Sequence, residues 1–236
     1  MKLVQSVIGL LLVAATSVAI GQTLSTHSAL ATLSPDGAQP QAASGTFPKD
    51  IYPETGNRLP AIHREDLDDA GKKLFDQKGV QDFYGPGSIR LYSLPVEEHS
   101  ESMNDFLRHK SGIDPSLVEL VILVTARESD CAYVWNAHEP QGLKAGLSKE
   151  SIDAVRYRKP TAGLAEKDAA IIDLGRDVLR NHHASSATAA RALNLFGKQG
   201  LVNIASLMGD YAATEILLNT FDQHVRPSEK SLLPIP

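Results

Sequence analysis

The sequence predicts an all-α fold. Alanine and leucine are abundant, and both favour helix. Apolar residues recur at helical spacing in several stretches, residues 166–180 and 201–221 among them. Alternating strand signals are nearly absent, and the connections are short, which favours antiparallel neighbours in a bundle.

The chain opens differently from its body. Lys2 is followed by an apolar stretch from Leu3 to Ile20, with small residues at Ala19 and Gly21. These are the parts of a secretory signal, and residues 1–21 are expected to be one. Cleavage after Gly21 fits, and cleavage after Ala31 is a second candidate. The opposing reading is an uncleaved anchor, against which Gln5, Ser6, Thr16 and Ser17 interrupt the run. The expectation is an exported protein, periplasmic or secreted, with no membrane attachment after cleavage. Residues 22–56, rich in Ser, Thr, Ala, Pro and Gly, read as a flexible linker. Residues 57–225 then form one domain of ordinary size, and residues 226–236 a C-terminal tail.

Within the domain, residues 53–60 look extended and residues 64–78 carry helical spacing through Leu67, Leu74 and Phe75. Tyr84-Gly-Pro-Gly87 is a loop signal, and residues 88–95 suit an extended segment that Pro95 ends. Residues 96–110 begin acidic and read as a helix closing at Ser111-Gly112. Asp114 before Pro115 marks the next helix start. Its body, residues 117–124, is almost wholly apolar, which predicts burial on most sides. After a break at residues 128–130, Asp130 is expected to cap a further helix that Pro140 kinks or ends. Ser148 starts a short helix, residues 166–180 a longer one, and residues 185–196 and 201–221 complete the set.

A formal net charge of -5 implies no basic surface for nucleic acid. No internal apolar run reads as long enough to span a bilayer. The single cysteine makes no intramolecular disulfide, so Cys131 is buried and inert, functional, or paired between chains. No ligand grouping such as H-x-x-x-H or C-x-x-C suggests a metal.

The chemistry concentrates in residues 119–138. Glu119 stands near the start of the apolar helix. Cys131, Trp135 and His138 follow at i, i+4 and i+7, on one face of the next helix. A histidine side chain suits a general acid or base, because free imidazole changes charge near neutral pH, and Glu119 can orient His138 or move a proton itself. Cys131 is a strong nucleophile only as thiolate, which a nearby imidazolium or a helix N-terminus favours. The bland alternative is a buried structural cysteine, a satisfied histidine and a surface glutamate. Trp135 either lines a pocket or packs in the core, and Tyr133 either binds substrate or serves a subunit contact. His182 and His183 sit at a helix C-terminus, where they interact with its carbonyls or reach a neighbouring site. Arg90 and Arg127 are candidates for holding a substrate carboxylate.

The pattern Glu119, Cys131-x-x-Val134-x-x-x-His138 and Gly146-Leu-Ser-x-Glu150 resembles the carboxymuconolactone decarboxylase and alkylhydroperoxidase D superfamily. Arg58-Leu-Pro60, Gly85-Pro-Gly87, Gly209-Asp-Tyr211 and Leu218-Asn219 extend the resemblance over residues 57–221. It implies an alkylhydroperoxidase D-like helical bundle that assembles as a homo-oligomer, a trimer or hexamer, and acts on a small molecule. In the peroxidase branch it implies a relay of Glu119, Cys131 and His138 with a second cysteine. That cysteine falls on Val134, so an intrasubunit disulfide cycle is excluded. In the decarboxylase branch it implies a cyclic carboxylated lactone as substrate, and no cofactor. Loss of carbon dioxide leaves a dienolate that His138 reprotonates with Glu119 as its partner. The expectation is therefore a lyase with catalytic Glu119, His138 and Cys131, the thiol in a supporting role, and with Trp135 and Tyr133 at the substrate. A one-cysteine thiol-dependent hydroperoxidase is the alternative, and a non-catalytic ligand-binding oligomer the third.

Overall fold

A computed structural model describes residues 47–235. In chain order they form a 3-10 turn (Arg64–Asp66) and helices α1 (Asp69–Lys78), α2 (Pro86–Arg90), α3 (Leu94–Asp105), α4 (Pro115–Glu128), α5 (Ala132–Lys144), α6 (Lys149–Arg156), α7 (Glu166–Gly175) and α8 (Ser186–Thr220). Wide π turns extend α3 through Phe106–Lys110 and α7 through Arg176–Arg180. Among the described residues, β structure amounts to one isolated bridge between Tyr52 and Asn57. The fold is all-α, as the sequence predicts.

Helix α4 is the axis. The Asp114 carboxylate accepts from the Ser116 amide at 2.9 Å, and Pro115 occupies the first turn, where its missing N–H costs nothing. Every residue from Leu117 to Arg127 is buried. A helix apolar on all sides has to be surrounded, and α5, α6, α7 and α8 all pack on α4. Leu120, Ile122 and Leu123 are fully buried, each contributing about 1.5–3 kcal/mol of transfer free energy. Helix α7 comes so close that a Cβ on Gly175 would lie 2.3 Å from Val124 Cγ1.

The two expected C-terminal helices form one element broken at Gly197, whose φ of 67° and ψ of 176° are not helical. Ser185 caps it, accepting from the Thr188 amide at 3.1 Å. By length and composition α8 is apolar enough to cross a bilayer, contrary to the sequence expectation for internal runs. Its break, its packing on α4 and α7, and the buried Asn203, Thr214 and Glu215 make it a core helix.

Three local expectations are corrected. Residues 88–95 are not extended: α2 and the start of α3 occupy them, with Pro86 and Pro95 in first turns that tolerate proline. Asp130 does not cap α5. Its carboxylate is drawn to Arg127 (2.7 Å) and Arg158 (3.2 Å), its φ is 51°, and Cys131 takes the cap position. Pro140 does not end α5, which continues to Lys144 and closes through Leu147 N to Gly142 O at 2.9 Å.

The expected signal (residues 1–21) and residues 22–46 of the expected linker lie outside the described residues. Residues 47–56 are packed: Ile51 and Thr55 are buried, and the neighbouring Asn57 amide donates to Gln223 Oε1 at 3.0 Å. The tail is packed too. Leu233 is buried, and the Asn136 side chain pairs with Lys230 O and Leu232 N, both at 2.9 Å.

Candidate active site

Helices α4 and α5 are joined by a three-residue break, so they lie side by side and present Glu119 to His138. His138 Nδ1 and Glu119 Oε2 are 2.7 Å apart, and both side chains are buried. Gly142, one turn on, faces the same helix: a Cβ there would be in ordinary contact with Glu119 Cβ at 3.5 Å. On the far side of the imidazole, the Tyr211 hydroxyl lies 3.2 Å from Nε2, with the two rings edge to face. Burial pushes the Tyr211 hydroxyl up to about 12, so it is neutral at pH 7. With Glu119 ionised, Nδ1–H donates to the carboxylate and neutral Nε2 accepts from Tyr211. When His138 is protonated, Glu119 compensates its charge.

The outer part of the site comes from the π turn after α3 and from α5. Arg108 Nη2 donates to Glu119 Oε1 and to Gln141 Oε1, both at 3.3 Å. Asn104, one turn before Arg108, donates to Asp210 at 2.9 Å. Four helices thus converge on one imidazole, and Arg108 and Gln141 are the more exposed members of the cluster.

Cys131 does share the His138 face of α5, but seven residues of helix separate them by about 10 Å along the axis. Its surroundings are different. The thiol is buried and pushed up to about 12, first by desolvation and then by the Glu215 carboxyl, against the Val134 and Tyr133 amides. Thiolate is therefore disfavoured here. Glu215 is itself wholly buried and pushed up to about 8 by desolvation, although the Ser129 hydroxyl donates to its Oε2 at 2.7 Å. Its Oε1 has no hydrogen-bond partner.

Of the two readings of Trp135, the structure has core packing, not substrate lining. The ring is fully buried, Nε1 donates to Glu139 Oε2 at 2.6 Å, and Arg156 lies over its face at 5.6 Å. Tyr133 points the other way, into a cleft of about 530 Å³ shared with Asn136, Ala137, Pro140, Arg226 and Leu232. That cleft is across α5 from His138, so Tyr133 does not join the relay. Arg90 donates through Nη2 to the Thr214 hydroxyl, and Arg127 donates through Nη1 to Asp130 and to Pro234 O. His182 and His183 are exposed beyond the π turn of α7. Among the described residues, no group of three or more His, Cys, Asp and Glu side chains is placed to hold a metal ion.

Sequence reasoning brought Glu119 and His138 together correctly but assigned no role to Tyr211, Arg108 or Glu215. Tyr211 was within sight, in the Gly209-Asp-Tyr211 segment. Neither Arg108 nor Glu215 stands in a motif.

Residues 97–172, about a third of the chain, match the model of the carboxymuconolactone decarboxylase family. This span holds Arg108, Glu119, Cys131 and His138. No curated protein matches the chain. Among solved structures, the chain is similar to the alkylhydroperoxidase AhpD core of an uncharacterized peroxidase-related protein from Ralstonia eutropha JMP134. The TM-score is 0.58 and the identity 16%, over 72% of this chain and 92% of that one. Residues 97–172 are therefore similar to the carboxymuconolactone decarboxylase family, and the all-α fold is like that of the alkylhydroperoxidase AhpD core.

Proposed function

We propose that this protein is an acid–base lyase that removes carbon dioxide from a small carboxylated lactone or a related acid. The observation that carries the reading is the buried hydrogen-bonded line Glu119–His138–Tyr211, while the thiol at the other end of α5 is held in its neutral form. In the proposed reaction the substrate C–C bond to the carboxylate breaks and carbon dioxide leaves. The electron pair spreads over a dienolate, and protonated His138 delivers a proton from Nε2 to carbon through the Tyr211 hydroxyl bonded there, which takes the Nε2 proton as it gives up its own. Glu119 stabilises the imidazolium before transfer, and water restores the proton afterwards. Tyr211 holds the Nε2 edge and keeps the ring in line.

The one-cysteine hydroperoxidase reading needs Cys131 as thiolate at an accessible place, and burial opposes both. Export through residues 1–21 and assembly as a homo-oligomer belong to the same proposal. The test is substrate profiling of the purified full chain on carboxylated lactones and on peroxides, with and without added thiol. Carbon dioxide release that His138→Gln abolishes and Cys131→Ser spares is the expected result. Thiol-dependent peroxide consumption lost in Cys131→Ser would overturn it, and binding without turnover would favour a ligand-binding oligomer.

A further inference from the structure

Arg108 is the charged group that the relay leaves underused. Its Nη2 is divided between Glu119 and Gln141 at 3.3 Å each, longer than the roughly 2.7–2.9 Å of a committed charge-assisted bond. Its Nε is buried without a partner. Its Nη1 makes no hydrogen bond among the described residues, and the side chain keeps 19% of its exposure. A guanidinium whose only task was to neutralise Glu119 would be expected to face it two-pronged. Glu119 instead gives its short contact to His138, at 2.7 Å.

The placement has a purpose if a further oxygen docks there. Arg108 stands in a π turn, a helix irregularity often found at functional sites, and that turn carries it to the edge of the His138 cluster. Its charge also reaches the Tyr211 hydroxyl, on the other side of the imidazole.

We propose that Arg108 is the oxyanion-binding residue of this site, its Nη1 holding the carbonyl oxygen on which charge collects as carbon dioxide leaves. The proposal rests on the acid–base reading above and assigns Arg108 a specific partner within it. The alternative anion is the departing carboxylate. A guanidinium there would stabilise the ground state and lose its partner as neutral carbon dioxide forms, which raises the barrier. On the carbonyl oxygen the interaction strengthens along the reaction, because charge moves from the carboxylate carbon bond to that oxygen. Nη2 keeps its hold on Glu119, so one side chain links the proton donor's partner to the site of developing charge.

Two measurements test this on the full chain. The first uses 4-nitrophenolate as a planar oxyanion probe and nitrobenzene as its neutral counterpart, bound above the pH at which the phenol ionises. Wild type should prefer the anion. Arg108→Gln should reduce that preference at least tenfold while leaving nitrobenzene binding within about twofold, and Arg108→Lys should restore part of it. An unchanged preference in Arg108→Gln overturns the proposal. The second, run with the lactone substrate, separates roles by kinetics. Loss in kcat with KM nearly unchanged fits oxyanion binding, whereas a raised KM at constant kcat would make Arg108 a carboxylate clamp instead. A shifted pH profile at constant kcat maximum would make it only a positioning residue for Glu119. If wild type turns over no lactone yet binds the phenolate through Arg108, the lyase reading fails and the oxyanion site stands.

Discussion

The two ends of α5 place similar groups in opposite conditions. At His138, a carboxylate, an imidazole and a phenol are joined end to end, and the carboxylate has a guanidinium behind it. At Cys131, a thiol and the Glu215 carboxyl are buried with one hydroxyl bond from Ser129 and an unpartnered oxygen. Desolvation acts at both ends. At the Cys131 end, where no partner compensates charge, both acids are driven toward their neutral forms. The resemblance places both Cys131 and His138 in the site, and the difference in their partners is what separates a connected pair from a buried one.

The largest effect should come from breaking the connected end. His138→Gln or Glu119→Gln should each lower kcat for carbon dioxide release by about 10²- to 10⁴-fold, the range for losing a positioned acid or base. The double variant should be little worse than either single one, since the two act as a unit. Additive losses in a double-mutant cycle would mean that Glu119 and His138 work separately.

The desolvated end should show itself in stability instead. Glu215 has a pKa near 8 in the folded chain against 4.5 for the free group. Below about pH 4.5 both folded and unfolded chains hold the proton, and no difference arises. Between pH 4.5 and 8 the folded chain binds more protons, so stability falls as pH rises through that window. The total is on the order of a few kcal/mol at one pKa unit per 1.4 kcal/mol. Urea unfolding at pH 5 and pH 8 should show this slope, and Glu215→Gln should flatten it. A slope unchanged by the substitution would mean that Glu215 is ionised when folded.

Tyr211 tests the far side of the imidazole. Tyr211→Phe removes one hydroxyl from Nε2 and keeps the buried ring. A single hydrogen bond to a group that becomes charged is worth about 1.5–3 kcal/mol, so kcat should fall by roughly 10- to 100-fold with KM little changed. Full activity in Tyr211→Phe would confine the relay to Glu119 and His138.

How far these regions could be read in advance follows from where their partners lie. Helical period places Cys131, Trp135 and His138 on one face of their own helix, and that much was legible. It does not say which face of a helix 70 residues away will meet them. Tyr211 and Glu215 are one turn apart on α8, so they reach α5 at His138 and beside Cys131 respectively, a pairing set by how both helices wrap α4. Asp130 was misread for the same reason. Its local role as a cap competes with Arg158, 28 residues on, which only the folded chain brings close. The α-helical class, the buried α4 and the break between residues 196 and 201 needed no distant partner and were readable. The helices at Pro86 and Pro95 were readable in principle, since proline at a first turn is a start signal, whereas Pro86 reads as part of a loop signal and Pro95 as the end of an extended segment.

Cys131→Ser should give the smallest change in activity and is the sharpest test of the comparison. The substitution swaps one small polar atom for another at a cap position where no side-chain bond is made, so α5 has little reason to move. The serine oxygen can accept from the Tyr133 and Val134 amides that face the thiol, the bond of a favoured N-cap. Carbon dioxide release should stay within about twofold of wild type, and the urea midpoint should change little. Before the substitution, a thiol reagent should modify Cys131 in the native chain far more slowly than in urea, because a thiol with a pKa near 12 holds almost no thiolate at pH 8. Fast native modification together with a large loss of kcat would place the chemistry at the Cys131 end of α5 and leave His138 as its support.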